Sequence, residues 1–121
     1  MNIVKFITDT VNCEASPNTA TCRLFRKSLV DLNVSYETLD LRKTPREINS
    51  YLESLGLERV TAIPYILILD SNSLPIFHFG VTYIANLINI AGDDTSTELS
   101  MEIAIKKHIK NTLVLYGAIS E

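Results

Sequence analysis

Two side chains dominate the reactive inventory of this sequence, Cys13 and Cys22, with Glu14 to Thr21 between them. Their spacing leaves two readings open. Cys22 alone is a small buried hydrophobe. Paired with Cys13, it would close a loop of about ten residues and add about 2–3 kcal/mol by loop-entropy arithmetic. That bridge requires the two Cα atoms to come within about 7 Å. The two histidines, His78 and His108, stand at spacings unrelated to the cysteines, so no zinc pattern forms and no metal is expected. His78, between Phe77 and Phe79 in an apolar strand, reads as a satisfied structural histidine rather than a base, and His108 as a surface residue of the last helix. A phosphate-cradling glycine loop and a nucleophile elbow are both absent from the sequence.

The chain around these residues is ordinary in bulk. Its 121 residues are 46% hydrophobic and 21% charged, enough for one domain to bury a core without staples. A net charge of -3 argues against nucleic acid or an anionic membrane as partner, because both select for basic patches. The apolar runs are too short to span a bilayer, and Met1 to Phe6 lacks the basic flank and apolar stretch of a signal peptide. A cytoplasmic location is the expectation, and there two cysteines are more often free, redox-active or metal-binding than a structural bridge.

The elements that must position the cysteines follow from periodicity. Ile3 to Ile7 reads as a strand and Thr8 to Asn18 as a loop. Ser16-Pro17-Asn18-Thr19 offers a helix entry, and Phe25, Leu29 and Leu32 recur at helical spacing before Asn33 closes the helix. Val34 to Leu41 alternates as a second strand. Thr44-Pro45-Arg46-Glu47 spells a capping box with proline at the first helical position, a cap worth about 1 kcal/mol. Ile48, Tyr51, Leu52 and Leu55 form that helix's stripe, and Gly56 stops it. Ile66 to Leu69 suits a strand buried on both faces, Asp70 to Ser73 a hairpin turn and Pro75 to Phe79 an antiparallel return strand. Gly80 breaks that strand, and Thr82 can cap a short helix through Ile84, Leu87 and Ile88. After a polar break at residues 92–96, Met101, Ile105, Ile109, Leu113 and Tyr116 share one helical face, with Gly117 as the stop.

This β-α-β-α-β-β-α order, with a cysteine near the start of the first helix and Ala62-Ile63-Pro64 before the buried strand, resembles the glutaredoxins and the related NrdH-type redoxins. The likeness runs from Ile3 to about Ile90, roughly three-quarters of the chain. Ser16 to Lys27 looks like the family's Lys-x-x-Cys-x-x-Cys segment, Thr61-Ala62-Ile63-Pro64 like its Thr-Val-Pro loop with a cis proline, and Phe79-Gly80-Val81-Thr82 like the glycine turn opening its last helix. The resemblance implies an α/β, thioredoxin-like fold with a four-stranded mixed sheet. It divides the chain into a glutaredoxin-like domain over residues 1–92 and a helical extension over residues 93–121 packed on the same domain.

The family's chemistry rests on a thiolate at a helix N-terminus, stabilised by unpaired amides and the helix dipole. A second thiol one turn later resolves the mixed disulfide. The cis proline exposes the preceding backbone, here that of Ile63, to an extended peptide. In this alignment the nucleophile position is Thr19, which suits a helix cap and cannot begin disulfide exchange, and Cys22 holds the resolving position. Cys13 takes the missing thiol's place if the preceding loop folds back over the helix start.

Glutathione recognition is weakened, and no cofactor is expected. Ser16 replaces the family's lysine, Thr21 its aromatic, and Val81-Thr82-Tyr83 its acidic residue. The resemblance therefore implies a redox-degenerate binding or regulatory module docking a protein partner at Thr19, Thr21, Ile63, Pro64, Gly80, Val81 and Thr82. The alternative is a thiol–disulfide oxidoreductase with Cys22 as catalytic residue, with or without Cys13. A third reading makes the face of Met101, Ile105, Ile109, Leu113 and Tyr116 a homo-oligomer interface.

Overall fold

The structure, a computed structural model, describes residues 1–15, 20–57 and 63–121. Four strands, β1 (Ile3–Thr8), β2 (Tyr36–Asp40), β3 (Tyr65–Leu69) and β4 (Pro75–Gly80), form one mixed sheet in the order β2-β1-β3-β4. β1 runs parallel to β2 and antiparallel to β3, which pairs antiparallel with β4. The helices are α1 (Thr21–Asp31), α2 (Pro45–Ser54), α3 (Val81–Ala91) and α4 (Glu98–Leu115). Among the described residues, no helix is long and apolar enough to cross a membrane.

The period-two alternation of the strands sorts the core into two layers. Val4, Phe6, Ile66, Ile68 and Phe79 face α1, α3 and α4, which contribute Leu24, Phe25, Leu29, Ile84, Ile105, Ile109 and Leu113. On the opposite face, Ile7, Leu67 and Leu69 meet Ile48 and Leu52 of α2. β3 is buried on both faces, each residue from Ile66 to Leu69 being wholly inaccessible. That explains its unbroken apolar run.

Left-handed residues end the helices where expected. Asn33 (φ 57°), Gly56 (φ 75°) and Gly117 (φ 70°) each follow a helix. At each end the next amide returns to the carbonyl five residues back, as in Val34 to Leu29, Leu57 to Leu52 and Ala118 to Leu113.

The helix starts differ from the sequence reading in three places. Thr44 does precede α2 and Pro45 opens it, but the Thr44 side chain makes no capping hydrogen bond. The chain enters through a turn in which the Lys43 and Thr44 amides donate to the Asp40 carbonyl, leaving Thr44 at ψ 58° rather than extended. Thr82 does not cap α3. Gly80 holds that position and β4 runs straight into the helix, so Thr82 falls inside the first turn. Ala20, not Thr19, occupies the position before α1, and Thr19 lies outside the described residues. A reciprocal cap does form at α4, between Thr97 and Ser100.

The face of α4 offered as an oligomer interface is consumed within the chain. Ile105, Ile109 and Leu113 are buried in the main core, with Met101 and Tyr116 packed against it. Tyr116 stacks on Phe77 at 4.1 Å, and Asn2 binds the Tyr116 and Gly117 carbonyls. His108 is also buried, its Nε2 2.6 Å from Asp93, because the apolar stripe of α4 is wider than its large hydrophobes suggest.

Candidate functional site

One end of the sheet gathers the residues with chemical potential. Thr8 closes β1 opposite Asp40, the end of β2, while Ile7 faces Tyr65, the start of β3. Tyr65 in turn faces Gly80, the end of β4. The segment that follows β1, the Ile63–Pro64 pair that precedes β3 and the start of α3 therefore all leave the same edge.

The loop expected after β1 contains a π-helical turn, Thr10–Glu14. Asp9 caps it, accepting from the amides of Val11 (3.0 Å) and Asn12 (2.7 Å) and from the Asn12 side chain (2.9 Å). Burial pushes the Asp9 carboxyl upward, but these donors outweigh it and leave the group below the usual carboxylate range. Asp40 ties the same turn to β2 through the Thr10 amide (3.2 Å) and hydroxyl (2.6 Å). Its pKa is likewise lowered, burial being outweighed by Thr10 and the Arg42 amide.

This turn carries Cys13 to Cys22. The two form a disulfide with Cα atoms 5.9 Å apart, and no cysteine is free. Cys22 lies in the first turn of α1, 0% exposed, and Cys13 is 8% exposed. Both cysteines are therefore buried.

A polar clamp lies beside the disulfide. The Arg26 guanidinium meets the Glu14 carboxylate with two nitrogens, Nε to Oε1 and one terminal nitrogen to Oε2 at 3.0 Å. Its other nitrogen reaches the Tyr36 hydroxyl (3.1 Å) and Thr38 Oγ1 (3.2 Å), and the group lies over the Phe6 ring at 5.1 Å. Thr8 Oγ1 donates to Glu14 as well, at 3.0 Å, and Arg23 donates to the Glu14 carbonyl at 3.2 Å. The bond to Glu14, opposed by burial, raises the Arg26 pKa above that of an ordinary guanidinium. Sequence reasoning left Glu14, Arg26, Asp9 and Asp40 out of the site. Only Asp9, an aspartate ahead of a short turn, carried a local capping signal.

The remaining expected residues fall around this centre. The Ile63–Pro64 peptide is cis, Pro64 is buried and Ile63 packs partly against the α2-side core. Gly80 leaves no room for a side chain, since a Cβ there would stand 2.9 Å from the Tyr65 ring and 3.1 Å from the Pro64 carbonyl oxygen. Thr21 and Val81 line a cavity of about 370 Å³ between α1, α3 and α4, with Leu24, Ile84 and Ile105 behind them. Thr82 is exposed. His78 pairs through Nδ1 with the Tyr65 hydroxyl and stands on the sheet face that α2 leaves uncovered. Among the described residues no group of three or more His, Cys, Asp or Glu could hold a metal ion. Comparison with protein-family models, curated proteins and solved structures finds no match to this chain.

Proposed function

We propose that this chain is a thioredoxin-fold, glutaredoxin-like binding module that docks an extended segment of a protein partner at the cis-proline end of its sheet. The Cys13–Cys22 disulfide acts in it as an openable cross-link of the docking end rather than as a turnover catalyst. The observation that carries this reading is the convergence, at one sheet end, of the Ile63–Pro64 segment, the start of α3 and a disulfide that ties the turn after β1 to α1. The strand order and the mixed pairing are compatible with the fold. In this reading the Ile63 backbone is the docking edge. Gly80 closes against the Pro64 carbonyl, Thr21 and Val81 line the cavity between α1, α3 and α4, and Thr82 is exposed. No cofactor takes part, and the protein works in the cytoplasm.

A second reading, a thiol–disulfide oxidoreductase using Cys13 and Cys22, draws support from the disulfide itself. One assay separates the two. Reduction of a protein disulfide is followed with thioredoxin reductase or glutathione as electron source, for the wild type, Cys13→Ser and Cys22→Ser. Turnover indistinguishable from buffer is expected. Robust turnover abolished by either substitution would sink the binding module and leave the enzyme. In parallel, amide shifts on adding a library-selected extended peptide should cluster at Ile63, Gly80 and Val81.

A further inference from the structure

We infer that Glu14 and Arg26 are positioning residues for the Cys13–Cys22 couple, holding Cys13 opposite Cys22 when the disulfide is open. The inference rests on the reading above that the cross-link opens. Glu14 follows Cys13 in the chain, and Arg26 lies one turn beyond Cys22 on α1, so the two share a helix face. The ion pair therefore runs beside the disulfide as a second tie between the same two segments. It is anchored independently of the sulfurs, through Tyr36 and Thr38 to β2 and through Thr8 to β1. Its side chains are 30% and 13% exposed, partly desolvated, which makes a forked arginine–carboxylate contact stronger than a surface pair.

Opening proceeds by exchange with a small dithiol. One thiolate of the reductant attacks the sulfur of Cys13, the less deeply buried residue of the pair, and Cys22 leaves as a thiolate that takes up a proton. The second thiol of the reductant then displaces Cys13. The reductant ends as a cyclic disulfide, and two electrons and two protons have passed to the protein. With Glu14 still gripped by Arg26, the turn cannot swing away, and the two thiols keep a high effective concentration.

The test equilibrates the full chain with mixtures of reduced and oxidised dithiothreitol and counts thiols by alkylation and mass. Glu14→Gln, which keeps the size and loses the charge, and Arg26→Lys, which keeps the charge and loses the fork, are each expected to shift the equilibrium about tenfold toward the dithiol. For a two-electron couple that is about 30 mV. Glu37→Gln removes the separate Lys5–Glu37 pair and should leave the equilibrium unchanged, as should any purely global loss of stability that leaves both redox forms folded. Variants within twofold of a reducible wild type overturn the inference. A wild type that stays oxidised until it unfolds overturns both the inference and the openable cross-link, and that failure is visible without any variant. If the variants do not fold, the Arg26 Nε–H resonance in Cys13→Ser/Cys22→Ser decides the matter. A distinct, slowly exchanging signal is expected, and rapid exchange with water overturns the proposal.

Discussion

Opening the disulfide without changing any residue isolates what the cross-link does for the fold. Cys13 and Cys22 are separated by 9 positions. The chain-entropy relation then gives about 2.6 kcal/mol of stabilisation near room temperature, through the unfolded ensemble. With a urea dependence of about 1.5 kcal/mol per molar, the unfolding midpoint should fall by about 1.7 M on reduction. The assay is circular dichroism of the oxidised and dithiol-reduced chain in urea, with alkylation at each end point to verify the redox state.

Thermodynamic closure makes this prediction stricter. The stability difference between oxidised and reduced chains equals the ratio of effective thiol concentrations in the folded and unfolded states. If Glu14→Gln lowers the folded value tenfold, the gap must shrink by about 1.4 kcal/mol, to about 1.2 kcal/mol. Coincident midpoints for oxidised and reduced wild type would refute the view that the bridge joins a preorganised folded geometry.

Three further outcomes follow from named contacts. Ile109→Ala, at a wholly buried position joining α4 to the sheet, should cost about 2–5 kcal/mol in urea titration, and a cost below 1 kcal/mol would mean that α4 is not part of the core. Gly80→Ala drives a methyl against the Pro64 carbonyl oxygen, which cannot rotate away as a side chain can. A loss of about 1–3 kcal/mol is expected, with amide shifts at Ile63 and Tyr65, and an unperturbed spectrum would contradict the close approach. Asp9 and Asp40 both have folded pKa values held below 3.8, so the stability they contribute is fully present above 3.8 and is lost as the pH falls through their folded values. The urea midpoint should therefore drop on acidification below about pH 4, and less steeply in Asp40→Asn, as read from a midpoint series between pH 6 and pH 2.5.

What the sequence made legible was local. Asn33, Gly56 and Gly117 mark helix ends because a left-handed residue is a one-position signal, and β3 is legible because four consecutive buried residues leave no polar gap. Glu14 was not legible. Its partners, Arg26 and Thr8, are 12 and 6 positions away, and Thr10 answers to Asp40 at a separation of 30. No periodicity encodes a pairing of that kind, so a structured turn reads as a loop. Thr44 failed for a related reason. Its capping pattern is sound, but the Asp40 carbonyl upstream draws in the Lys43 and Thr44 amides and sets a backbone angle at which the hydroxyl does not cap. The reciprocal cap at Thr97 uses serine in place of the glutamate or glutamine that the pattern looks for.

The same distinction bears on the site. Between Cys13 and Cys22 the sequence left a small buried hydrophobe and a bridge both open, since loop entropy says what a closed bond is worth and nothing about whether the ends meet. They meet because Asp9 fixes the start of the turn, Asp40 ties the turn to β2, and Glu14 fastens its end to α1. None of these anchors involves sulfur. A bond between two ends that other contacts already bring together can be opened with less rearrangement than one that must itself hold the loop. The clamp therefore ties the proposed function to a definite physical requirement: the reduced turn must stay ordered, or the cross-link is only a staple.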